Sequence, residues 1–202
     1  MNILRAFFLC AAVLAGCGKQ LPPVREGDII FHTSRSNQSV AIQKATHSPY
    51  SHMGIILFRD SKPYVLEASA TVRYTPLGDW IKRGIGGHYV LKRLMEPDKT
   101  LSKKVVKDFH DEAAKYEGKP YDFTFEWSDD KMYCSELVWK LYQRVTGLEI
   151  GKMQTMRDFD LTDTLVSEKM RERFGDHVPL DTPVISPQAM FESPLLMTVT
   201  EE

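Results

Sequence analysis

Cys134 lies in the stretch "KMYCSELVWKLY" (131–142), and the other two cysteines, Cys10 and Cys17, are at the extreme N-terminus. The stretch reads as an amphipathic helix over 131–146, with Leu137, Val138, Leu141, Tyr142 and Val145 on a 3.6-residue stripe. Cys134 precedes Leu137 and Val138 by three and four residues, so it falls on that apolar face near the helix start. One reading is a small apolar side chain filling a core. The other is a nucleophile: the dipole and free N–H groups of a first helical turn favour a thiolate, the form that attacks carbonyl carbon. Position leaves both open. A neighbouring base would separate them.

Six histidines could supply it: His32, His47, His52, His88, His110 and His177. His110 belongs to a charged helix surface, His177 to a polar late segment, and His88 opens a strand. His32 and His47 have no evident partner. His52 begins the most apolar strand in the chain, Met53 to Phe58, and a histidine there needs a polar neighbour. With Asp60-Ser61 as the two turn residues of a hairpin, Arg59 pairs with Lys62, Ile56 with Val65, Gly54 with Glu67 and His52 with Ser69. His52, Gly54, Glu67 and Ser69 then share one face, with Glu67 diagonal to His52. Gly54 leaves room for the carboxylate to lean across. Such a carboxylate could hold the imidazole tautomer, as the third member of a triad does. A His–Glu pair that merely staples two strands predicts the same contact, but no thiol nearby.

The elements around these residues indicate an α+β domain with antiparallel strands and helices packed on them. Strands are expected at 27–34, 52–58, 64–69, at the start of 72–84 and at 87–94, and a final one within 185–200 after a short capped helix. Helices are expected at 37–46, near 76–84, at 100–117 with Gly118 as the stop, and at 160–175. Residues 119–130 form an aromatic, polar loop. The chain has 202 residues and a formal net charge of −1, which suits one domain and gives no whole-chain electrostatic footprint for nucleic acid. Without a CxxC or a cysteine-rich cluster, neither a thioredoxin-like redox site nor a cysteine zinc site is indicated, and no metal or cofactor is expected.

The first residues differ from the rest. "MNILRAFFLCAAVLAGC" joins one arginine to an apolar run and small residues, which is a secretory signal too short to span a membrane. Leu14-Ala15-Gly16-Cys17 resembles the lipobox of bacterial lipoproteins. That resemblance implies cleavage before Cys17, lipid on Cys17, and anchorage in the outer membrane facing the periplasm, since Gly18 is not the aspartate that retains such proteins on the inner membrane. The alternative is a plain cleaved signal with a chance cysteine. The expected organisation is a signal peptide at 1–16, a lipidated linker at 17–26 and one domain at 27–202. Cys134 would then be the only free thiol of the exported chain, with no intramolecular disulfide partner.

"GDIIFHTSRSNQSVAIQKATHSPYSHMGI", "KPYVLEAS" and "GKPYDFTFEWSDDKMYCSELVWKLY" together resemble the YiiX/YaeF branch of the NlpC-type cysteine hydrolases, a circularly permuted papain-like group. The likeness spans nearly all of the exported chain. Papain-like enzymes carry cysteine before histidine; here His52 and Glu67 precede Cys134, as the permuted group requires. The resemblance implies a permuted papain-like fold, an antiparallel sheet or partial barrel packed with helices. It also implies Cys134 as nucleophile, His52 as general base and acid, and Glu67 as the residue that orients His52. That Cys134 lies close to the His–Glu pair comes from the resemblance alone. Tyr133 and Tyr121 could line a pocket or simply pack. The implied substrate is a small peptide or acyl group of the cell envelope: an amide such as a peptidoglycan peptide bond, or a lipid or thioester acyl group handled by a hydrolase or acyltransferase. A non-catalytic envelope-binding lipoprotein would keep the fold with a degraded triad.

Overall fold

The computed structural model describes residues 21–202. The signal and lipobox residues, with Cys10 and Cys17, lie outside the described residues.

The chain enters the sheet at β1 (Ile29–His32), all four residues of which are buried. Helix α1 (Asn37–Thr46) follows, its first turn closed by the Ser36 side chain accepting from the Ser39 N–H. Then come β2 (His52–Arg59) and β3 (Lys62–Ala68), joined by Asp60 and Ser61 with φ of 48° and 60°, the twisted two-residue turn that matches strand twist. The pairing runs from Arg59↔Lys62 through Ile56↔Val65 to Ile55↔Leu66, the register read from the sequence. β4 (Val72–Pro76), α2 (Leu77–Arg83) and β5 (Val90–Leu94) complete the first half.

The expected helix at 100–117 is shorter, and a separate turn precedes it. A short turn, α3 (Pro97–Thr100), comes first, then α4 (Lys103–Ala114). Ser102 separates them: its side chain accepts from the Val105 N–H and restarts the helix, leaving Leu101 outside. After the 119–133 loop, α5 (Cys134–Thr146) begins three residues later than the periodicity suggested and ends at Gly147, whose φ of 74° suits the left-handed C-cap. β6 (Gln154–Thr155) pairs with β7 (Pro183–Val184) around α6 (Thr164–Phe174). The chain closes with α7 (Pro187–Phe191) and β8 (Leu196–Glu201).

The main sheet is antiparallel, six strands in the order β4-β3-β2-β1-β5-β8. It is an open sheet. β1 and β8 flank β5 and are each antiparallel to it, so they run in the same direction. Alternation along the strands feeds two cores. Ile29, Phe31, Met53, Ile55, Leu57 and Leu66 face one layer with Leu137, Val138 and Leu141 of α5 and Phe109 of α4. Ile30, Ile56, Val65 and Leu91 face the other with Leu77 and Trp80 of α2.

α5 is more deeply set than a single apolar stripe predicts. Its first nine residues, Cys134 to Tyr142, are all buried. The back of the helix is covered by the 119–133 loop, and its charges are paired there: Lys140 Nζ lies 2.8 Å from Glu136 Oε1 and 2.9 Å from Asp129 Oδ1. At the start of the helix the Tyr133 N–H donates to Glu136 Oε2 at 3.4 Å.

Candidate active site

Cys134 is the first residue of α5, preceded by Tyr133 in extended conformation, and is 3% exposed. At that position its N–H has no acceptor within the helix, and the helix dipole points its positive end at the thiol. Among the described residues it is the free cysteine. It belongs to the core on the α5 side of the sheet.

Glu67 stands on the other side. It is fully buried, and every polar contact it makes is with a donor. Oε2 accepts from His52 Nε2 at 2.6 Å and from the Trp80 indole N–H at 3.1 Å. Oε1 accepts from the Thr75 hydroxyl at 2.6 Å and from the Arg83 guanidinium, with Arg73 Nε 3.5 Å away. Gly54 makes this possible. A Cβ there would stand 2.4 Å from Val65 Cγ1, 2.7 Å from the Leu66 carbonyl oxygen and 3.4 Å from Glu67 Cβ.

His52 sits between the two. As the first residue of β2 its ring lies at the end of the sheet, where the α5 layer and the α2 layer meet. The carboxylate can only accept, so Nε2 carries the proton it shares and Nδ1 is left for the thiol. Burial pulls the His52 pKa down. Hydrogen bonding and charge from Cys134, and then from Glu67, outweigh burial and bring it up to about 9. For Glu67, burial pushes the pKa up, while the hydrogen bond and charge of His52, with help from Thr75 and Arg83, hold it down at about 2. A histidine poised between a carboxylate and a thiol is the arrangement that acyl transfer to sulfur requires.

A match to the family described as permuted papain-like amidase enzyme, YaeF/YiiX, C92 family covers residues 23–200. The chain belongs to this amidase family. Its relatives include the uncharacterized protein YiiX of Escherichia coli K12, 49% identical over 176 residues that make up 87% of this chain and 86% of that protein. The crystal structure of the metalloprotein yiiX from Escherichia coli O157:H7 superposes with a TM-score of 0.83 at 50% identity, covering 88% of this chain and 97% of that one. The C92 family is one of papain-like cysteine amidases, so a cysteine hydrolase is the class of enzyme to which this chain belongs. The permuted order of the sequence is also that of the fold: the histidine strand comes first and the cysteine helix later.

The two tyrosines named from sequence are both at the site. Tyr133 is buried behind Cys134, its hydroxyl accepting from the Ile185 N–H at 3.1 Å. Tyr121 lies at the junction of an apolar recess and a polar one, its hydroxyl accepting from Gln38 Nε2 at 2.9 Å. Sequence reasoning weighed His32 but gave it no partner, and it missed Trp80, Thr75 and Arg83. His32 pairs directly with His52 across β1 and β2, and its ring stacks on Trp80 at 3.9 Å. Burial, then the charges of His52 and Arg83, lower its pKa to about 3, so His32 is neutral beside a protonated His52. The signal for Trp80 and Arg83 was their spacing: three residues apart, they lie on one face of α2, and that face covers Glu67. His110, expected to be solvated, is instead half-buried with Nε2 3.3 Å from Glu26.

Proposed function

We propose that this chain is an envelope-anchored cysteine amidase. In this reading Cys134 attacks the carbonyl, His52 moves the proton, and Glu67 holds His52 in register. The observation that carries it is the placement of His52, with Nε2 on a buried carboxylate 2.6 Å away and the Cys134 side chain near enough to the ring to raise its pKa. The Cys134 sulfur adds to the carbonyl carbon, and the developing oxyanion is met by the Cys134 N–H at the start of α5. The His52 imidazolium then gives its proton to the departing nitrogen. Water, deprotonated by the same imidazole, releases the acyl group as a carboxylic acid and restores the thiol. Anchorage rests on Leu14-Ala15-Gly16-Cys17, with lipid on Cys17 and the domain on the periplasmic face of the outer membrane. Acylation at more than one point is what stable anchoring needs.

The solved Escherichia coli relative is described as a metalloprotein. Among the described residues of this chain, no group of three or more His, Cys, Asp or Glu is placed to hold an ion. The Glu67 oxygens already accept from His52, Trp80, Thr75 and Arg83, so these residues do not fit a metal and no step passes through one.

The test is alkylation of the native protein by iodoacetamide near neutral pH. Cys134 should react despite its burial, and His52→Ala should slow the reaction at least tenfold. A thiol that reacts only after denaturation would return Cys134 to the role of inert core residue.

A further inference from the structure

Two recesses meet at the candidate site, and their chemistry is opposite. One begins at Cys134 and runs between α1, α6 and the segment leading to α7, with a volume of about 650 Å³ including its mouth. Ala41, Ala45, Met156, Phe159, Val166 and Met170 form most of its wall; Gln38, Thr46, Ser135, Arg173 and Ser186 also line it, but the surface they leave exposed there is almost wholly carbon. It is a narrow slit. The other recess lies on the His52 side and is lined by Ser34, Arg35, Ser51, Ser69 and Lys82. Gln38, Ile42 and Tyr121 line both, so the two are continuous across the reacting centre.

The direction of thiol chemistry decides what each side holds. Sulfur keeps the acyl part, and the leaving group departs from the side where the imidazolium supplies its proton. The acyl part therefore lies against the slit and the leaving group in the polar recess. A peptide acyl part would bring an N–H and a C=O per residue into a wall with almost nothing to pair them, at a cost for each. A methylene chain has no such groups, gains from burial in carbon, and is thin enough for a slit.

We propose that the substrate is an amphiphile, a fatty-acyl amide or ester whose chain enters the slit between α1 and α6 and whose polar leaving group occupies the recess of Arg35 and Lys82. This rests on the reading of Cys134 as nucleophile. The thioester forms at Cys134 as the C–N or C–O bond breaks. The leaving group takes the His52 proton, and one water then yields the free fatty acid.

The experiment uses the full chain and a series of 4-aminobenzoate amides acylated with acetyl, hexanoyl and decanoyl groups, below their micelle concentrations. kcat/KM should rise roughly fourfold per methylene along the series. Ala45→Phe, which narrows the slit from α1, should cut the decanoyl-to-acetyl ratio at least tenfold. Turnover that is flat along the wild-type series, or faster on a tetrapeptidyl amide than on the decanoyl one, overturns the chain-binding slit while leaving the thiol mechanism in place. Absence of both turnover and any mass-detected acyl adduct on Cys134, even with acetyl, overturns the nucleophile and the amphiphile together. The wild-type series decides the matter whether or not the variant folds.

Discussion

At the scale of single residues, the ionisation of His52 sets the expected pH behaviour. Cys134 and Glu67 raise its pKa to about 9, so acyl transfer, which spends the imidazolium proton on the leaving group, should fall as pH rises through about 9. Alkylation of the thiol needs no proton donor and should not fall there. Glu67→Gln removes one anion from beside the ring, so the descending limb should move to lower pH, by about one unit or more. A limb that stays where it is would show that Glu67 does not tune His52. The same residues show what a sequence can yield. Glu67 was legible because strand alternation and a two-residue turn fix a diagonal neighbour without knowledge of the rest of the fold. His32 was not, because its partner His52 lies across β1 and β2, and nothing local announces which strands pair when a helix intervenes.

At the scale of elements, the β2–β3 hairpin and α5 position the site. Gly54→Ala puts a Cβ within 2.7 Å of the Leu66 carbonyl oxygen, a backbone atom that cannot turn aside. The variant should lose about 2 kcal/mol in urea unfolding and, by parting β2 from β3, a large share of activity. In α5, burial outweighs the nearby Lys140 ammonium and raises the Glu136 pKa to about 7. Its folded pKa is above its unfolded value, so the stability linked to it is complete below about pH 4.5 and is lost as pH rises through about 7. Subtracting the stability–pH curve of Glu136→Gln from that of the wild type should isolate this loss, about 3 kcal/mol in full. A flat difference curve would mean that Lys140 offsets burial and leaves the folded pKa of Glu136 at its unfolded value. The helix itself was legible from its period. Its burial on all sides was not, since no local pattern shows that the 119–133 loop covers Glu136 and Lys140.

At the scale of the whole molecule, location and connectivity matter most. Cys17→Ala should shift the protein from the membrane to the soluble periplasmic fraction and abolish palmitate labelling; retention of both would exclude Cys17 as the anchor. No helix among the described residues is long and apolar enough to cross a membrane. The α+β class was legible from alternating strand and helix periods. The strand order was not: β8 joins β5 from more than a hundred residues away, and no local pattern fixes so distant a partner.

The parallel placement of β1 and β8 on either side of β5 has one more outcome. Gly27 and Glu201 lie roughly 10 Å apart across the sheet and ~13 Å apart along it, by strand spacing and rise. A bridge of about six to eight residues could therefore close the chain into a ring. The ring could be cut afresh between Asp129 and Asp130, both exposed in the loop before α5. The new chain would meet Cys134 first and His52 later, which is the order of unpermuted papain-like enzymes. If such a rearranged protein folds and keeps its reactive thiol, nucleophile-first and base-first sequences are two openings of one closed path.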